Sequence, residues 1–92
     1  MSNKLIFRKH ALQRMFQRSI RVEAVHAVLF GGKSIIDYPE DMPYPSRLML
    51  GWCGERPIHV VAADTPESET IIITVYEPDP ALWEPGFERK KP

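Results

Sequence analysis

Apolar residues along the chain recur first at helical spacing and then at alternate positions. Over residues 8–18, Ala11, Leu12, Met15 and Phe16 fall three or four apart, which predicts an amphipathic helix with those four on one face. Over residues 21–30, Val22, Val25, Val28 and Leu29 predict a second helix, stopped by Gly31-Gly32. The link around Ser19-Ile20 is short, so the two helices are expected to form a hairpin. Ser19 offers a capping hydroxyl, and Arg21 marks the other place where one would be welcome.

The period then changes to two. Strands are predicted over residues 34–38, 46–52, 57–63 and 70–76, the last one β-branched through Ile71-Ile72-Ile73-Thr74-Val75. Pro39, Pro43 and Pro45 forbid regular pairing between the first two strands. Cys53-Gly54-Glu55-Arg56 reads as a tight hairpin turn. Residues 77–92 form a proline-rich tail, with Trp83 and Phe87 as anchors and Arg89 to Pro92 fraying. The expected fold is α+β, a helical hairpin packed on a four-stranded antiparallel sheet in one domain spanning residues 1–92.

A hairpin turning on Gly54-Glu55 sets Cys53 opposite Arg56, Leu50 opposite His59 and Leu48 opposite Val61. Closing Ala63 on Thr70 sets Val61 opposite Ile72 and His59 opposite Thr74. One sheet face then carries Met49, Ile58, Val60, Ala62, Ile71, Ile73 and Val75 and should receive the helices. The other carries Trp52, His59, Thr74 and Tyr76 among aliphatics, a mixed surface suited to a ligand.

Composition narrows the class. With 92 residues, 43% hydrophobic and 26% charged, the chain suits one small globular domain. No apolar run reaches the ~20 residues of a membrane span, and the first ten residues show no signal peptide. A single cysteine, Cys53, excludes an internal disulfide framework and fits a reducing cytoplasm; in its turn it has no evident base beside it. The absence of a CxxC pair excludes a zinc ribbon or finger.

The net charge of zero hides an asymmetry. Residues 1–33 hold seven cations against Glu23 alone, a balance of +6, and residues 34–92 hold five cations against eleven acids, a balance of −6. Either the two halves attract each other within the fold, or the basic side meets an external anion.

His10, Arg14 and Arg18 are four apart and so emerge along one edge of the first helix. Two guanidinium groups in a row suit phosphodiester oxygens, and an imidazole beside them can move a proton near neutral pH. A solvated helix face is the plainer reading. His59 lies between Ile58 and Val60 as a half-buried residue or a functional one, and His26 beside Val22, Val25 and Leu29 reads as packed. Three scattered histidines make no metal site, and no cofactor is implied. Tyr76 either bonds a phosphate or packs, and Arg47 either pairs with an acid or projects into a cleft.

The ordered motifs His10-Ala11-x-x-Arg14-Met15-x-x-Arg18-x-Ile20, Tyr44-Pro45-Ser46-Arg47, His59-Val60-Val61 and Thr74-Val75-Tyr76-Glu77-Pro78-Asp79, with Trp83, resemble a family of small bacterial and archaeal proteins known as a domain of unknown function. That family is distantly similar to the RelE/ParE and BrnT toxins of type II toxin–antitoxin systems. The resemblance implies a RelE-like fold, a metal-independent endoribonuclease acting on mRNA, often on the ribosome, and an antitoxin partner. In that reading His10 or His59 acts as base or acid, Arg14, Arg18 and Arg47 clamp phosphate, and Tyr76 orients the substrate. The RNA-cleaving relatives are strongly basic whereas this chain is neutral, and their catalytic side chains differ among themselves. The alternatives are a non-catalytic module that binds a neighbouring gene product, and nucleic-acid binding without cleavage.

Overall fold

In the computed structural model, which describes residues 4–92, the chain runs β1 (Lys4–Phe7), α1 (Lys9–Arg18), α2 (Val22–Gly31), β2 (Lys33–Tyr38), β3 (Ser46–Cys53), β4 (Arg56–Asp64) and β5 (Glu69–Tyr76). Met1 to Asn3, the start of the stretch read as lacking a signal peptide, lie outside the described residues. The strand order is β1-β5-β4-β3-β2. The sheet therefore has five strands and is mixed, not four-stranded and antiparallel, because β1 pairs in parallel with β5. Its four residues alternate, with Leu5 and Phe7 packing on the core while Lys4 and Ile6 face away. The helices thus connect the two edge strands and cover one face of the sheet between them. Among the described residues no helix is long and apolar enough to cross a membrane.

Helix α1 lies against β5, and α2 against β3 and β4. Ser19 ends α1 in the left-handed conformation, φ 54°, as a C-cap and not as the N-cap of α2. Arg21 takes that N-cap position without a side-chain bond. The final carbonyls of α1 are met by Arg56, whose guanidinium donates to the oxygens of Arg18 and Ser19 while its Nε donates to Glu77 at 2.6 Å. A cation at a helix C-terminus also opposes the helix dipole.

Two glycines let α2 approach the sheet. A Cβ on Gly32 would stand 2.3 Å from the Leu50 oxygen, and one on Gly51 would stand 2.8 Å from the Val28 Cα. Under the helices Met15, Ile20, Val25, Val28, Met49, Ile58, Val60, Ile72 and Val75 form the main core.

The β3–β4 register matches the expectation, with Cys53 opposite Arg56, Leu50 opposite His59 and Leu48 opposite Val61. The β4–β5 register does not. His59 lies opposite Tyr76 and Val61 opposite Thr74, and then a bulge brings Ala62 opposite Ile72. The extra residue shifts the alternation, so Ile72 rather than Ile71 and Ile73 enters the core beneath the helices. Ile71 and Ile73 are half-buried, and with Ala63 they line a hollow of about 240 Å³ beside Arg8, Met42 and Tyr44.

The second sheet face is covered by the residues after β5. Trp83 bridges to Lys90, Glu84 N–H donates to the Arg89 oxygen at 2.8 Å, and Lys91 N–H donates to the Leu82 oxygen at 2.9 Å. The tail therefore folds back on itself as a strap instead of fraying from Arg89, because its backbone groups pair internally. Both expected anchors sit inside this strap, Trp83 buried and Phe87 half-buried.

Candidate interaction surface and the covered histidine

Successive residues of an α-helix turn by about 100°, which divides α1 into three strips. Ala11 and Met15 are buried. His10, Arg14 and Arg18 are exposed along one flank of that stripe. Leu12 and Phe16 follow on the other flank and are 48% and 89% exposed. They do not share the buried face, because the sheet covers a stripe too narrow to include residues a further 100° around. On α2, Val22 and Phe30 are also exposed, and His26 is stacked on Phe30 at 5.8 Å in solvent instead of being packed.

The cations divide sharply. Lys33 pairs with Glu88 at 2.6 Å, Arg47 with Asp64 at 2.9 Å and Arg56 with Glu77 at 2.6 Å. Among the described residues no ion pair involves His10, Arg14 or Arg18. Only three of the eleven acids of the second half are so paired, two of them with that half's own Arg47 and Arg56, and the basic flank of α1 keeps its charge facing water. Arg47 combines both of its expected placements. Its carboxylate partner Asp64 also accepts from Thr70 at 2.7 Å, and the pair lines a hollow of about 270 Å³ with Asp37 and Ser46.

His59 sits on the opposite face of the sheet, fully buried. Its Nε2 lies 2.9 Å from the Phe87 carbonyl oxygen, and its Nδ1 lies 3.2 Å from the Tyr76 hydroxyl. A carbonyl only accepts, so Nε2 carries the proton and Nδ1 accepts from the Tyr76 O–H. Trp83 meets the imidazole edge-on, with centroids 4.5 Å apart. Burial lowers the pKa of His59 below the ordinary 6.5, partly offset by the Phe87 carbonyl. Burial raises that of Tyr76, helped by neighbouring Tyr38.

The six residues singled out in the sequence are therefore not brought together. His59 and Tyr76 touch each other under the strap, His10, Arg14 and Arg18 share a flank of α1 on the other side of the sheet, and Arg47 lies at a strand end. Sequence reasoning missed Arg56, whose partners lie 37 and 38 positions away in the chain, and the Phe87 carbonyl, since a backbone group carries no residue-type signal. Among the described residues no three His, Cys, Asp or Glu side chains gather as a metal-holding group.

These features define a class, a two-helix layer on a mixed five-stranded sheet with an uncompensated cationic helix on one side and a strapped histidine on the other. A family model matches residues 7–77, and the chain belongs to that family, described as a domain of unknown function, DUF4258. The match ends one residue after β5, so the strap lies beyond it. No curated protein and no solved structure matches the chain, and no link to RelE- or ParE-type toxins emerges from the comparisons.

Proposed function

We propose that this protein is a binding module that receives an acidic, amphipathic segment of a partner protein along α1. The observation that carries the reading is the pairing, on one helix, of two guanidinium groups and an imidazole that make no ion pair among the described residues with two large, exposed apolar side chains. Exposed cations steer an acidic partner and fix its register, and exposed aromatic side chains are where interfaces concentrate their energy. Phe16 is the anchor, Leu12 extends it, Arg14 and Arg18 supply the charge, and His10 continues their row as a hydrogen-bonding group.

The endoribonuclease reading keeps one support, His10 standing one turn ahead of Arg14 on an exposed flank. Its other proposed acid or base, His59, lies apart from that flank, beneath the strap with both ring nitrogens engaged.

The test is co-expression with the product of the neighbouring gene, followed by calorimetric titration of the purified pair. Phe16→Asp and the double variant Arg14→Glu/Arg18→Glu should each weaken binding at least ~10-fold, the second in a salt-dependent way. Absence of a complex, together with RNA cleavage abolished by His10→Ala, would replace this reading with the endoribonuclease one.

A further inference from the structure

We infer that the C-terminal strap, residues 82–91, is an acid-released cover over the sheet face that carries His59 and Tyr76. The strap is a separate unit. Its backbone pairs with itself, through Trp83 to Lys90, Glu84 to Arg89 and Lys91 to Leu82. It meets the sheet through the Phe87 carbonyl on His59, the buried Trp83 ring on the same imidazole, Phe87 against Trp52 at 5.9 Å, and Glu88 on Lys33. The last is an exposed pair at the rim and contributes little.

The joint turns on the protonation state of one buried ring. Neutral His59 satisfies both of its neighbours, donating to Phe87 and accepting from Tyr76. A second proton on Nδ1 would convert that acceptor into a donor facing the Tyr76 hydroxyl. The hydroxyl would have to turn, and its own hydrogen would need a new acceptor. The new charge would also stand in a fully buried position.

Among the described residues no carboxylate pairs with the ring to offset it. Around the ring stand Tyr76 from β5, Leu50 across β3, Tyr38 of β2 behind Tyr76, and Trp83 and Phe87 from the strap. Of the strap's charges, Glu88 is held by Lys33, Lys90 lies over the Trp83 ring, Glu84 and Arg89 line a separate hollow with Pro85, and Lys91 is exposed. Among the described residues no ion pair involves His59. Strands β4 and β5 are paired on both sides and cannot part without unfolding. The strap can lift, and lifting wets the imidazolium. It uncovers His59 and the Tyr76 hydroxyl bonded to it, next to Leu50 opposite His59 on β3.

The experiment follows the emission of Trp83 in a Trp52→Phe background from pH 7.5 to 5, with far-UV circular dichroism in parallel. The expected result is a red shift and faster acrylamide quenching, with a midpoint below 6.5, while the dichroism is unchanged. Adding His59→Gln, whose amide donates to Phe87 and accepts from Tyr76 but gains no proton, should abolish the shift. A shift that persists in His59→Gln, no shift at all, or loss of dichroism at the same pH would each overturn the inference. Should the Gln variant fail to fold, the ring nitrogen chemical shifts of His59 in the Trp52→Phe protein decide the question. They must titrate at the pH midpoint of the Trp83 emission, and a mismatch overturns the proposal.

Discussion

The two faces of the sheet are built from the same three central strands yet are closed in different ways. On the helix side, the buried cluster that joins sheet to helices, Ile58, Val60, Ile72 and Val75 with Ala11, Met15, Val25 and Val28, is apolar throughout. On the strap side, Leu48 and Leu50 share their face with His59 and Tyr76, and the cover is a segment that pairs with itself. An apolar core holds by area removed from water, which is indifferent to pH and falls gradually with each deleted group. A polar joint holds by matched donors and acceptors, and it fails when one of them changes role. The difference teaches that one face supplies stability and the other a conditional closure.

The largest expected effect lies on the helix side. Ile72 is fully buried opposite Ala62, where the bulge aims it into the core. Ile72→Ala should lower the unfolding free energy by about 3–4 kcal/mol, read from the midpoint of a urea transition at unchanged slope. Trp83→Ala removes a larger side chain from the other face, but the strap can leave before the sheet unfolds. Its expected cost to global stability is about 1–2 kcal/mol, with faster amide exchange confined to residues 82–91. Equal losses for the two variants would mean that both faces unfold together and would erase the contrast.

The pH dependence comes next. The pKa of His59 is depressed in the folded state, so the unfolded chain binds the proton more readily. The contribution to stability is therefore complete above the ordinary value of 6.5 and is lost as pH falls below it towards the folded-state value. The slope from this one group cannot exceed about 1.4 kcal/mol per pH unit. Denaturation midpoints measured between pH 7.5 and 5 should fall in the wild type more than in His59→Gln. Parallel curves would show that the buried imidazole does not couple to folding.

The contrast between faces also explains what could be read from the sequence. The β3–β4 register was legible because a two-residue turn, Gly54-Glu55, fixes it locally. Met49, Ile58, Val60 and Ala62 were correctly placed under the helices for the same reason, and Val75 because it precedes the bulge in the pairing with β4 counted from His59. The β4–β5 register was not legible, because a bulge at Val61/Ala62 leaves no mark in an Ile-Ile-Ile run where every neighbour is interchangeable. Strand β1 was missed because four residues carry little pattern, and it exists by pairing with a strand more than sixty positions later. On α1 the cationic flank followed from spacing alone, but whether Leu12 and Phe16 lie buried depends on how wide a floor the sheet offers. That width is a property of the assembled fold.

The smallest stability effect belongs to the surface on which the functional reading rests. Arg14 stands without a carboxylate partner among the described residues, in a segment rich in like charge. Arg14→Glu therefore breaks no internal contact and relieves some repulsion, so unfolding free energy should move by less than about 0.5 kcal/mol. Arg18 lies in the last turn of α1, where a cation opposes the helix dipole, and Arg18→Glu should cost a few tenths of a kcal/mol more, on the order of 0.3–1. Calorimetric or chemical unfolding of the two variants in low salt gives the comparison directly. A loss well above 1 kcal/mol at Arg14 would mean that its guanidinium is already engaged within the fold. The charge offered to a partner would then be spent, and Phe16 alone would have to carry the docking surface. A near-neutral result leaves these side chains with no work inside the molecule, which is the condition for their doing work outside it.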